Sequence, residues 1–258
     1  MAAVQAAYAV EKAVGHGEAS LKQDISNYES VKDGADESMK ALTWQGKQKV
    51  EVIDTKKPQL FDPEDREDVE EGKRRVILKV TGSTVCGSDL HLLHGAVMQM
   101  NKGDILGHEF CGVVEEVGED IKDKVKVGKR YVASFQIACG ECFYCKQRLS
   151  SQCEKTNASS QMKGMYGDRT AGLFGYSHLT GGFAGGQADY VRVPYADVNL
   201  LEIPDDVPDE KGTYTQPSTA VIVRLPANVC SRQLSTSRTS SPLPTTPSRI
   251  PPSTPTTK

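Results

Sequence analysis

The sequence predicts a mainly β fold: a partly open β-barrel of short strands that carries a cysteine-dense lobe and ends in a disordered C-terminal tail. Three observations lead there. Between Met39 and Pro204, short apolar runs are separated by glycine-bearing turns, the pattern of a barrel built from many short strands. Cys139, Cys142, Cys145 and Cys153 fall within fifteen residues. From Ser231 to Lys258, seven Ser, seven Thr and six Pro occupy 28 positions. Such a composition cannot bury enough apolar surface to offset an ordering entropy of roughly 1–2 kcal/mol per residue.

Taken in order, residues 1–38 form an N-terminal extension, alanine-rich and then polar, with a short helix over Val4 to Val14 and a solvated remainder. The folded domain occupies residues 39–211. It opens with a hairpin, Met39 to Trp44 against Lys49 to Ile53 around a turn at Gly46. The acidic run Asp62 to Glu71 reads as a solvated loop. Further strands are expected at Arg75 to Val80, Gly112 to Gly118, Val127 to Val132 and Ala188 to Val193. Residues 212–258 form the tail, aberrant in composition and largely disordered.

Charge and hydropathy exclude several classes. Arg224, Arg232, Arg238, Arg249 and Lys258 are the only charged residues from Gly212 onward, so residues 1–211 carry −8 when the whole chain carries −3. An acidic body is poorly suited to phosphate backbones, and no nucleic-acid partner is expected. Mean hydropathy is −0.44, and no run approaches the ~18–20 apolar residues of a membrane span. The N-terminus has neither an apolar signal core nor an Arg-rich transit character. A soluble, cytoplasmic protein without a membrane partner follows as the expectation.

The seven cysteines are odd in number and clustered, which favours metal ligation over disulfides in a chain without a secretory signal. Cys139, Cys142, Cys145 and Cys153 give C-x2-C-x2-C-x7-C. Two-residue spacers let successive thiolates converge from a tight turn, which Gly140 permits. Four sulfurs close a tetrahedron around Zn²⁺ at about 2.3 Å and leave no open position, the mark of a structural zinc. In zinc-finger peptides such binding supplies ~10–16 kcal/mol, counted directly as folding energy. Iron–sulfur clusters use related spacings, often with a following proline, which is absent here.

A second group comprises Cys86-Gly87-Ser88-Asp89-Leu90-His91 and Gly107-His108-Glu109. A catalytic zinc takes three protein ligands and keeps one position open; Cys86 and His108 supply sulfur and nitrogen. Ser88, two residues past the cysteine, can offer its hydroxyl to an oxygen at that open position. His91 can pass a proton to solvent, because an imidazole titrates near neutrality. Asp89 and Glu109 are carboxylates able to stand behind the ligands and tune the metal, and Glu109 is counted among the metal-site residues. By itself, a Cys and a His 22 residues apart equally suits a buried thiol and a hydrogen-bonded imidazole. The four-cysteine lobe downstream tips the reading toward metal.

Together these motifs resemble the zinc-dependent alcohol dehydrogenase branch of the medium-chain dehydrogenase/reductase family. The run from Phe174 to Ala188, with Gly181-Gly182-Phe183-Ala184-Gly185-Gly186 at its centre, is similar to the glutathione-independent formaldehyde dehydrogenase subgroup. The resemblance covers about residues 39–211. It implies a GroES-like barrel with a zinc-binding lobe, Cys86 and His108 on a catalytic zinc, and Ser88 and His91 in a proton relay. It implies oxidation of a zinc-bound alcohol by hydride transfer to NAD, with a small alcohol or aldehyde as substrate. For the full-length family it also implies a homo-oligomer.

The match breaks in two places. The subgroup takes its third ligand from an aspartate shortly after Ile203-Pro204-Asp205, in a Ser-Asp context, and Gly212 to Thr219 do not supply it. Asp206, Asp209 or Cys230 are the substitutes on offer. Nor does any G-x-G-x-x-G follow a strand, so no Rossmann domain is expected; the glycines of 181–186 have the wrong spacing and read as a turn. The chain is therefore expected to be truncated, unable to bind NAD, and inactive alone. The alternative to a dehydrogenase domain is a non-catalytic zinc-binding GroES-like fragment. The break at Lys211 suggests that the residues beyond it derive from a shifted reading frame, a retained intron or a mis-predicted exon.

Overall fold

A computed structural model describes residues 38–60, 73–207 and 221–223. The helix expected at Val4 to Val14, the acidic run from Asp62, and nearly all of the stretch after Pro208 lie outside them.

The opening hairpin pairs β1 (Ser38–Gly46) with β2 (Lys49–Lys56), antiparallel, from Ser38↔Lys56 to Gly46↔Lys49. Alternation along β1 sends Met39, Ala41 and Thr43 inward, where Met39 and Ala41 meet Ile105, Ala184 and Ala188 in a small core of their own. The indole N–H of Trp44 donates to the Leu92 carbonyl at 3.0 Å and ties the hairpin to the helix that follows the next strand.

That next strand, β3 (Val76–Val85), is the spine of the molecule. Val76, Ile77 and Leu78 are fully buried, as expected of a strand covered on both faces. One edge pairs with β4 (Phe110–Val117), with bulges after Ile77 and Val80. The other edge is shared: β8 (Tyr190–Val193) runs along Val76–Lys79, and β10 (Val221–Val223) along Ser83–Val85. β5 (Arg130–Ala133) and β9 (Leu200–Glu202) extend the sheet to the order β10-β3-β4-β5-β9. A separate pair joins β6 (Gln136–Ile137) to β7 (Gly172–Leu173). Every pairing between these strands is antiparallel, and the sheet path stays open, as expected of a partly open barrel. Its core packs Val76, Leu78, Phe110, Val114, Tyr131, Phe174 and Val191 together with Cys139, Cys142 and Cys153 of the lobe.

Two details differ from the sequence expectation. β5 starts at Arg130 because Val127 and Gly128 turn, with Gly128 at φ 80° and Val127 63% exposed. β10 lies within residues 212–258, where no strand was expected, and before the Ser/Thr/Pro-rich stretch that begins at Ser231. The helices are short: α1 (Gly87–Leu93), α2 (Phe143–Lys146), α3 (Ser160–Tyr166) and α4 (Ala196–Asn199). None among the described residues is long and apolar enough to cross a membrane.

Candidate metal centres

The lobe is local in construction. Gly140 turns the chain at φ 80°, Cys142 caps the start of α2, Cys145 lies within it, and Cys153 ends the 3-10 turn Ser150–Gln152. The four sulfurs lie within 4.8 Å of one another, with Cys139 4.0 Å from Cys145 and Cys142 4.0 Å from Cys153. A tetrahedron with 2.3 Å metal–sulfur bonds has edges of about 3.8 Å, whereas a disulfide needs about 2.05 Å. The spacing therefore fits shared ligation, and all four thiols are free.

Backbone N–H groups already point at the sulfurs: Cys139 N–H donates to Cys153 Sγ at 3.4 Å, and Cys142 N–H to Cys139 Sγ at 3.3 Å. Burial pushes the Cys142 thiol up, but the N–H groups of Cys145 and Glu154 bring it down to about 7. Burial, with the neighbouring thiols, pushes Cys145 up to about 12. Four thiolates this close repel one another unless a cation sits among them. The donor set therefore suits a divalent soft metal.

The second group forms where β3 leads into α1. Asp89, at the third helical position, accepts from the Cys86 N–H at 2.8 Å, while Cys86 Sγ accepts from the Ser88 N–H at 3.3 Å. This reciprocal cap aims the thiol. His108, entering β4 from the facing loop, brings Nε2 to 3.1 Å from Cys86 Sγ and 3.0 Å from Ser88 Oγ; Ser88 Oγ is 2.6 Å from Cys86 Sγ. On its far side, His108 Nδ1 faces Asp89 Oδ1 at 3.6 Å, and neither atom has another hydrogen-bond partner. Burial lowers the imidazole's proton affinity, but the Asp89 carboxylate and Cys86 outweigh it and raise the pKa to about 9. Cys86, Asp89 and His108 make a three-donor group within 4.8 Å, able to hold a metal ion.

The remaining candidates fall elsewhere. Glu109 is outside the three-donor group; its carboxylate takes a very short hydrogen bond from the Thr84 hydroxyl, and its backbone carbonyl accepts from Ser83 Oγ. His91 lies exposed in the last turn of α1, and no hydrogen bond joins it to Ser88 among the described residues. Asp206 is exposed, while Asp209 and Cys230 lie outside the described residues.

Residues 72–205 match the family model described as the alcohol dehydrogenase GroES-like domain. The chain belongs to the zinc-dependent medium-chain alcohol dehydrogenase family. It is 37% identical over 206 residues to a zinc-type alcohol dehydrogenase-like protein of Schizosaccharomyces pombe, covering 80% of this chain and 45% of that protein. A glutathione-independent formaldehyde dehydrogenase of Pseudomonas aeruginosa is 37% identical over 166 residues, covering 64% and 38%. Among solved structures, the alcohol dehydrogenase TADH from Thermus sp. ATN1 superposes with a TM-score of 0.56 at 33% identity, covering 68% of this chain and 43% of that one. The chain thus spans less than half the length of these relatives.

Two features of this dehydrogenase-family site escaped the sequence reading. Tyr176 stands edge-on to the His108 ring at 6.0 Å, and burial with the Asp89 and Cys86 charges raises its hydroxyl pKa. Only its place in the resembling Phe174–Ala188 run could have flagged it. Asp104 is buried and holds His178 Nε2 at 3.0 Å, joining the loop before His108 to that same run. The glycines are backbone packing. A Cβ at Gly185 would fall 2.3 Å from the Leu106 carbonyl oxygen, and one at Gly107, which has φ 97°, 2.6 Å from Gln187 Cγ. The turn reading of residues 181–186 agrees with this contact between backbones.

Proposed function

We propose that the chain is the substrate-activating, zinc-holding part of an NAD-dependent alcohol or formaldehyde-type dehydrogenase. The observation that carries this is the convergence of Cys86 Sγ, His108 Nε2 and Ser88 Oγ on one small space, in a chain that also gathers four thiols in a separate lobe. Cys139, Cys142, Cys145 and Cys153 would hold one zinc and confer order on the lobe. Cys86 and His108 would hold the other, with Asp89 orienting the imidazole from its Nδ1 side. When bound there, zinc supplies Lewis acidity toward an alcohol oxygen.

The chain's own residues do the rest. Ser88 Oγ, between the thiol and the imidazole, would accept a hydrogen bond from the substrate hydroxyl and pass on its own proton as it takes the substrate's; His91, exposed on the same helix, is the group able to exchange a proton with water. Tyr176 walls the space beside His108. A nicotinamide, if bound beside this space, would supply the hydride acceptor. Residues 39–211 are the domain concerned, with 1–38 and 212–258 as appendages.

Zinc analysis of the full chain tests this. The expected result is one tightly held zinc lost in Cys153→Ala, and a weaker one lost in Cys86→Ala or His108→Ala. A chain that takes up no zinc overturns the reading. Titration with NAD separates the activating domain from a complete enzyme: no micromolar binding is expected.

A further inference from the structure

Beyond the sulfurs, the structure shows what holds the lobe against the barrel. Three consecutive residues of α4 engage three consecutive residues at the lobe's entrance. The Asn199 side chain, 3% exposed, clips Ala138 on both sides: Oδ1 accepts the Ala138 N–H at 2.8 Å, and Nδ2 donates to the Ala138 carbonyl at 2.9 Å. The same Nδ2 reaches the Pro194 and Tyr195 carbonyls at 3.0 and 3.2 Å. Val198 packs against Gly140, where a Cβ would fall 2.7 Å from Val198 Cγ2. Asp197 acts through Arg74, whose guanidinium contacts both Asp197 oxygens at 3.1 and 3.2 Å and donates to the Cys139 carbonyl at 3.3 Å.

Arg74 also lies 3.7 Å from Glu141 and 4.8 Å over the Tyr195 ring, and Lys124 meets Asp197 at 3.1 Å. Tyr195 itself stands at φ 46°, a left-handed conformation that persists only where its surroundings over-determine it. Backbone and side-chain bonds to its carbonyl from Val198 and Asn199 do so here.

From this geometry we infer that α4 and Arg74 form a metal-positioning plate: they fix the peptide on either side of Cys139, and so aim the first thiolate of the lobe. Asn199 and Arg74 are positioning residues that touch no donor atom. Their effect is on how long the lobe keeps its metal. The inference rests on the lobe holding a divalent metal, as proposed above.

The test uses the zinc-loaded full chain challenged with a chromophoric chelator, alongside the thiolate-to-metal absorption of the cobalt(II)-loaded chain. Outer partners of metal ligands typically alter affinity by about 10–100-fold. Asn199→Ala and Arg74→Met are expected to release the lobe metal at least about ten-fold faster, with an altered cobalt absorption. Asn199→Asp keeps the acceptor for Ala138 but turns an oxygen on the Ala138, Pro194 and Tyr195 carbonyls, and is expected to release the metal at least as fast as Asn199→Ala. Lys40→Ala, in the distant hairpin, should release at the unmutated rate. Unchanged release and absorption in the folded Asn199 and Arg74 variants would overturn the inference, as would equal acceleration in Lys40→Ala. Should Asn199→Ala fail to fold, Arg74→Met decides by the same criterion. An unmutated lobe that takes up neither metal overturns the reading beneath it, and this is seen before any variant is made.

Discussion

At the scale of the residue, the contacts of the candidate site meet at one imidazole. His108 has its Nε2 toward a thiol and a hydroxyl, and its Nδ1 toward a buried carboxylate. Burial works against the proton, and Asp89 and Cys86 retain it to about 9, against an ordinary value of 6.5. A pKa raised on folding contributes stability that is complete below the unfolded value. It is lost as pH rises through the folded one. The metal-free chain is therefore expected to lose stability between pH 6.5 and about 9. Asp89→Asn should flatten that slope. Urea midpoints across the range check this, and a slope unchanged in Asp89→Asn would refute the assignment to this pair. Residue identity alone pointed to His108 and Cys86, but could not rank the carboxylates beside them. Glu109 adjoins His108 and Asp89 lies three residues from Cys86; only the chain path turns Asp89 toward the imidazole and Glu109 toward Thr84.

At the scale of the element, the glycine-rich run works through what it lacks. Between Phe174 and Ala188, backbone lies against the backbone of Leu106–Gly107, immediately before His108. A Cβ at Gly185 meets carbonyl oxygens of Leu106 and Gly107 at 2.3 and 2.4 Å, which cannot rotate away as a side chain would. Gly185→Ala is expected to destabilise the fold by about 1–3 kcal/mol through overpacking. It should also weaken metal uptake at Cys86 and His108, because the shift is passed to the His108 loop. Denaturant unfolding and zinc analysis read the two effects; an alanine chain as stable as the parent would contradict the close approach. The hairpin at Gly46 and the strands at β3 and β4 were legible as alternating or continuous apolar runs. α1 was not, because seven residues are too few for a periodic signal, and its start is set by the Cys86–Asp89 cap.

At the scale of the whole molecule, the lobe and the barrel are unequal partners. Cys139, Cys142 and Cys153 belong to the main core, yet the lobe's surface exposes Phe143 and Leu149 and its short helices bury little of their own. Metal removal by a chelator is therefore expected to leave β3 and β4 protected while amide exchange rises across residues 139–153. Exchange that rises equally in β3 would show the metal to be integral to the barrel itself. The sheet path also stays open among the described strands, with β8 and β10 sharing one edge of β3. β10 is the β-branched run Val221-Ile222-Val223, too short to predict a strand alone; it takes its stability from the edge it joins.

The sequence by itself determined the four-thiol lobe, the pairing of Cys86 with His108, and the strand-rich class, because these depend on short spacings and local apolar runs. Tertiary structure alone decided that Asp89 and not Glu109 stands behind His108, that Tyr176 walls the site, and that Asn199 and Arg74 grip the peptide at Cys139. Arg74 and Cys139 are 65 positions apart, and His108 and Tyr176 are brought together only by folding. Contacts of that range are set by how strands stack and loops close, which no local pattern of residues encodes.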